Sequence, residues 1–105
     1  MSQQELFTPI KVGDVTLQHR VVMAPLTRRR ATKEHVPTPL LAEYYAQRAS
    51  TPGTLLISEG TFISPQAGGD VHIPGIWSND QVAEWRRVST GILTALSITK
   101  KARIA

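Results

Sequence analysis

Cysteine is absent from the chain. That excludes disulfide staples and thiolate metal ligands, and it fits a reducing compartment. Long apolar runs are missing as well. The runs present, such as Val21–Ala24, Leu55–Ile57 and the interrupted stretch Ile92–Ile98, fall far short of the roughly 20 residues a membrane span requires. Met1–Ile10 shows no basic region followed by an apolar core, so no secretory leader is expected and the cytoplasm is the expected location. The three histidines, His19, His35 and His72, share no metal-ligand spacing, so no metal site is expected and they are read as surface or loop residues.

Acidic balance is the other shortfall. The formal net charge is +4, but residues 91–105 hold Lys100, Lys101 and Arg103 with no acid, which leaves nine bases against eight acids in residues 1–90. The excess is mostly a short tail, and Arg28, Arg29 and Arg30 form the only other cluster. A nucleic-acid partner needs a broad basic face on a recognisable module, so none is expected.

What is present is an ordinary globular composition. Apolar residues make up 41% and charged residues 19% of 105 residues, enough for a core in one compact domain or one piece of a larger one. Ile10–Leu17 alternates around Gly13 and Asp14, which predicts a hairpin. Val21–Ala24 is an uninterrupted apolar run stopped by Pro25, which predicts a strand buried on both faces of a parallel sheet. Residues 28–37 read as a loop. Thr38 then caps a helix with Pro39 at its first position and Leu41, Tyr45 and Ala49 on one face. Pro52 and Gly53 end it, and Thr54–Ser58 reads as a second buried strand. The roughly thirty residues from strand to strand match one βαβ unit.

Thr61–Trp77 is a long loop of the kind that often carries function. Ser78 with Gln81 forms a capping box, Trp77 and Val82 are spaced for a hydrophobic staple, and Val82, Trp85 and Val88 form the predicted buried stripe of the next helix. From there Gly91 ends the helix and Ile92–Ile98 becomes a strand, or the helix runs on; spacing leaves both open. The order of elements predicts an α/β fold with parallel strands.

In such folds ligands bind at the carboxyl ends of the strands, here Pro25, Leu26 and Thr27 after the first and Glu59 and Gly60 after the second. From spacing alone Thr27 reads as a turn or cap residue and Gly60 equally as a loop or a site glycine. Glu59 reads as a structural partner for an arginine such as Arg28 or Arg30 rather than a general base. Tyr44, Tyr45, Trp77 and Trp85 read as packing residues.

Four blocks sharpen this. Met23–Arg28 (MAPLTR), Glu43–Ala49 (EYYAQRA), Ile57–Gly69 (ISEGTFISPQAGG) and Pro74–Ser78 (PGIWS) resemble, in the same order, the old yellow enzyme family of FMN-dependent, NAD(P)H-using ene reductases. The resemblance implies the N-terminal portion of a (β/α)8 TIM barrel with FMN at its mouth and the hairpin closing the opposite end. It implies that Pro25, Leu26 and Thr27 lie along the isoalloxazine ring, with the Thr27 hydroxyl near the C4 carbonyl, and that the backbone at Gly60 comes close to the flavin. By family the activity is hydride transfer from NAD(P)H through flavin to an activated alkene, a small-molecule substrate, with the oligomeric state left open.

The resemblance covers residues 1–88. Residues 89–105 depart from it, lacking the histidine and the flavin-contacting glutamine that family members carry next, which leads us to expect a shifted reading frame, an alternative splice or a mis-predicted gene end. The family's substrate-binding His and Asn (or His) pair, its Tyr proton donor and its phosphate-holding segments have no counterpart here, so no catalytic residue is assigned. The expected chain is therefore an inactive portion of the enzyme or, alternatively, a non-catalytic fragment or interaction protein. Asp70 stands where some relatives carry an aromatic near the site entrance.

Overall fold

The computed structural model describes residues 3–95 and 103–104. A helical turn, α1 (Gln3–Leu6), precedes a hairpin of β1 (Ile10–Val12) and β2 (Val15–Leu17), paired in register from Ile10–Leu17 to Val12–Val15. Of the two turn residues only Gly13 has a positive φ, 58°, the pattern of a type II′ turn that a glycine at this position allows.

The strand β3 (Val22–Met23), the helix α2 (Pro39–Arg48), the strand β4 (Leu55–Leu56) and the helix α3 (Asn79–Ala95) follow, with β5 (Arg103–Ile104) third in a parallel sheet ordered β3-β4-β5. Parallel neighbours need crossovers, and α2 supplies the one between β3 and β4. The Leu41, Tyr45 and Ala49 stripe of α2 is buried as its spacing predicts, and it meets Leu56 of β4 and Val88 and Ile92 of α3 in one cluster. Each such fully buried aliphatic side chain stabilises by about 2 kcal/mol. The α2 and α3 axes approach where small residues meet: a Cβ at Gly91 would lie 3.7 Å from the Ala42 carbonyl oxygen and 3.9 Å from the Ala46 Cβ.

Three expectations are corrected and one open alternative is settled for the described residues. The first concerns β3, which is shorter than the apolar run. Val21 and Val22 are 47% and 39% exposed, because β4 pairs with one edge and no described strand pairs with the other. Second, α3 continues through Gly91 to Ala95, so residues 92–95 are helical; residues 96–98 lie outside the described residues. Third, the buried stripe of α3 is Gln81, Trp85, Val88 and Ile92, whereas Val82 is exposed. Fourth, Trp77 lies over Gly75 and beside the His35 ring at 5.7 Å, so it does not serve as a staple on an exposed Val82.

The capping box itself forms. Ser78 Oγ accepts from the Gln81 N–H at 3.2 Å, and Gln81 Oε1 accepts from the N–H groups of Ser78 (3.0 Å) and Trp77 (2.8 Å). At the start of α2, Thr38 takes extended cap dihedrals but its hydroxyl donates to the Arg30 carbonyl at 3.0 Å instead of capping the helix. Pro39 at the first helical position lowers the demand for a cap, since it brings no N–H.

Candidate functional site

Because β3 and β4 are parallel and in register, with the Ile57 N–H donating to the Met23 carbonyl at 3.1 Å, the segments that follow them leave the sheet at the same end. Pro25, Leu26 and Thr27 are all exposed, and so is Gly60. No described group hydrogen-bonds the Thr27 side chain, while its carbonyl accepts from Arg28 Nε at 3.2 Å. A Cβ built on Gly60 would have no heavy atom within 4 Å. One exposed hydroxyl, one exposed leucine and one open glycine thus share the common end of two strands.

Behind them lies a buried pair. Tyr45 and Glu59 are almost fully buried. The Tyr45 hydroxyl accepts from the Glu59 N–H at 3.0 Å and donates to Glu59 Oε2 at 3.4 Å. Burial pushes the Tyr45 phenol up to about 12. Burial likewise raises the Glu59 carboxyl, against the opposing pull of the Arg28 main-chain N–H, the Tyr45 hydroxyl and the Arg28 charge. The expected ion pair between Glu59 and Arg28 or Arg30 does not form. Both guanidinium groups turn to nearby main-chain carbonyls instead, which leaves Tyr45 as the partner of Glu59.

The two loops above the strand ends are stitched to each other. His35 Nδ1 contacts the Ile73 carbonyl at 2.7 Å and His72 Nδ1 the Ala31 carbonyl at 2.8 Å. A carbonyl only accepts, so in each ring Nδ1 is the donor. The Gly75 N–H donates to the His35 carbonyl at 2.8 Å. His35 also meets Phe62 edge-on at 5.5 Å. His35 and His72 both have positive φ, 66° and 64°, a conformation uncommon outside glycine. They lie in loops, as read from the sequence, and within those loops they are part-buried structural pins. His19 is a third: Nδ1 accepts from the Val21 N–H at 3.1 Å, so Nε2 carries the proton toward Thr54 Oγ1 at 2.8 Å. Arg29 (φ 56°) crosses from one loop to the other to pair with Asp70 at 2.6 Å. That pairing holds the Asp70 carboxyl below the usual carboxylate range.

A cavity of about 480 Å³ lies to one side, between Arg28 and Arg30 and the Leu40, Tyr44 and Gln47 face of α2. Neither Thr27 nor Gly60 lines it. The strand ends form an open, exposed wall outside that cavity.

A family model described as NADH:flavin oxidoreductase / NADH oxidase family matches residues 5–97. The chain belongs to this family. Among its relatives, the NADP-dependent oxidoreductase lnbE of Aspergillus flavus is 54% identical over 88 residues, 84% of this chain and 23% of that protein. The structure of the old yellow enzyme homologue from Zymomonas mobilis superposes with a TM-score of 0.79 at 52% identity, covering 87% of this chain and 25% of that one. Morphinone reductase in complex with tetrahydroNAD gives 0.81 at 48% identity, covering 95% and 25%. The chain thus spans about a quarter of the length of these family members, and it carries part of their (β/α)8 barrel, with no closed barrel among the described residues. No described helix is long and apolar enough to cross a membrane.

Proposed function

We propose that this chain supplies part of the flavin wall of an FMN-dependent, NAD(P)H-using reductase acting on activated alkenes. The observation that carries the reading is the pairing of an unengaged Thr27 hydroxyl with an unobstructed Gly60 at the common end of two parallel strands. These residues fit a flat ring: Pro25 and Leu26 offer apolar contact, Thr27 a hydrogen bond, and Gly60 a surface with no side chain in the way. The chemistry supplied by bound FMN is hydride transfer from NAD(P)H to the β-carbon of an electron-poor alkene. With FMN bound, the Thr27 hydroxyl would be free to donate a hydrogen bond to the ring, which would favour its electron-rich reduced form. NADP use by lnbE and nicotinamide-analogue binding by morphinone reductase support the choice of reductant. A cytoplasmic location and a small-molecule substrate, with no nucleic acid, complete the reading.

A second reading, a non-catalytic interaction fragment, is favoured by one observation: Val21 and Val22 stand exposed at β3, whose outer edge has no described partner, a template for pairing.

Gly60→Val separates the two. Its side chain enters open space, so thermal unfolding stays within 1 °C of the parent, while quenching of FMN fluorescence by the chain is lost. Thr27→Val removes one hydrogen bond, worth about 1.4 kcal/mol, and weakens FMN about tenfold. A parent chain that fails to quench FMN, or a Gly60→Val chain that quenches it equally, sinks the flavin reading.

A further inference from the structure

Glu59 is a buried carboxyl that the flavin-wall reading does not use. It is 3% exposed, and its Oε1 has no hydrogen-bond partner. Three elements converge on it. Tyr45 reaches it from α2 and bonds both its N–H and its Oε2. From the segment that follows β3, Arg28 acts on the same carboxyl electrostatically, through its main-chain N–H and its charge, without a closed hydrogen bond. Glu59 itself lies in the segment that follows β4 (Leu55–Leu56), and its carbonyl accepts from Thr61 Oγ1 at 2.9 Å, which fixes the peptide leading into Gly60.

We propose that Glu59 is a positioning residue whose carboxyl, shared by α2 and the ends of β3 and β4, sets the spacing between Thr27 and Gly60. The consequence for flavin rests on the reading above; the clamp itself does not. Arg28 is the neighbour of Thr27 and Gly60 the neighbour of Glu59, so a shift at the carboxyl reaches both wall residues through a single peptide link each.

The clamp is also proton-linked. A buried carboxyl with an unpartnered oxygen favours its neutral form, and the groups facing it are Tyr45 from α2 and Arg28 from beyond β3, with Tyr44 against the Tyr45 ring at 5.4 Å. The folded-state pKa is raised, so the stability linked to Glu59 is fully present below the ordinary glutamate value and is lost as pH rises through the folded value.

The test is a pH 4 to 9 titration of the ¹⁵N-labelled 105-residue chain without flavin, following the Thr27, Arg28 and Gly60 amides. These resonances are expected to move on one curve with a midpoint above the ordinary glutamate range. In Glu59→Gln, which keeps the shape and removes the titration, they stop moving. In Tyr45→Phe, which removes a donor to the carboxylate, the midpoint moves higher still. Motion of these amides that persists in Glu59→Gln, separate midpoints for the two strand ends, or a parent spectrum without dispersed resonances for them overturns the proposal. If the amides titrate together but FMN fluorescence is not quenched, the flavin reading falls and the clamp stands.

Discussion

Gly53→Ala is expected to destabilise the chain by about 3 kcal/mol, from a left-handed backbone penalty of about 1–2 kcal/mol and an overpacking cost of about 1–3 kcal/mol. Gly53 is buried in the turn between α2 and β4 with φ 70°. A Cβ there collides with the Gln18 side chain and lies 2.8 Å from the Gln18 main-chain nitrogen. The exposed Gln18 Cγ can swing away, although its Cβ moves only with the main chain. The nitrogen cannot, because its N–H donates to the Gly53 carbonyl at 3.2 Å and thereby docks the hairpin on the turn. His19 and Thr54 repeat the link one residue further on each segment. Urea unfolding should therefore show the loss together with faster amide exchange at Gln18. Gly60→Ala, in open space, should stay within about 0.5 kcal/mol of the parent. A Gly53→Ala loss no larger than that of Gly60→Ala contradicts the account.

Gln81→Leu should cost about as much, roughly 3 kcal/mol, by a different route. The substitution roughly conserves volume at a site that is 1% exposed, so packing is not the cause. The loss comes from polar groups. The N–H groups of Trp77 and Ser78 lose the Oε1 they share, and the Glu34 carbonyl loses its donor Nε2 at 3.4 Å. A buried polar group left without a partner costs about 1–3 kcal/mol, and these partly buried ones fall toward the low end. Ser78→Ala removes only the cap on the Gln81 N–H, about 1 kcal/mol. Thermal unfolding should rank the two variants with Gln81→Leu clearly lower. The reverse order would show that Gln81 acts only as a local cap.

Gln81 also marks where sequence reading stops. Its role in the capping box is legible because that chemistry spans three residues. Its place in the buried stripe is not, because a polar side chain does not register in an apolar periodicity, and the pattern shifted to Val82 by default. The Leu41, Tyr45 and Ala49 face was legible for the opposite reason: every member is apolar or aromatic, and the partner helix buries them all.

The burial of β3 failed because an apolar run reports a strand's preference, whereas burial needs neighbours that the described residues provide on one edge only. The histidine pins were invisible because their acceptors lie 38 and 41 residues away. Glu59 was assigned an arginine on charge alone, and nothing local shows that both candidate guanidinium groups turn to main-chain carbonyls nearby. That the segments carrying Thr27 and Gly60 leave the sheet at the same end was legible, because two strands joined by a helix crossover run parallel.

The loop over the site closes on itself. Phe62 and Gly75 form a bridge, with the Phe62 N–H donating to the Pro74 carbonyl and the Ile76 N–H to the Phe62 carbonyl, both at 3.0 Å. Below that bridge lie Glu59 and Gly60; above it Ile63 and Val71 project into solvent. The bridge therefore works as a firewall between an exposed tip and a fixed base. Residues 63–69, short of the Asp70 that holds Arg29, can be lengthened, shortened or exchanged for a foreign loop while the geometry of the strand ends is preserved, which makes this segment the natural grafting point.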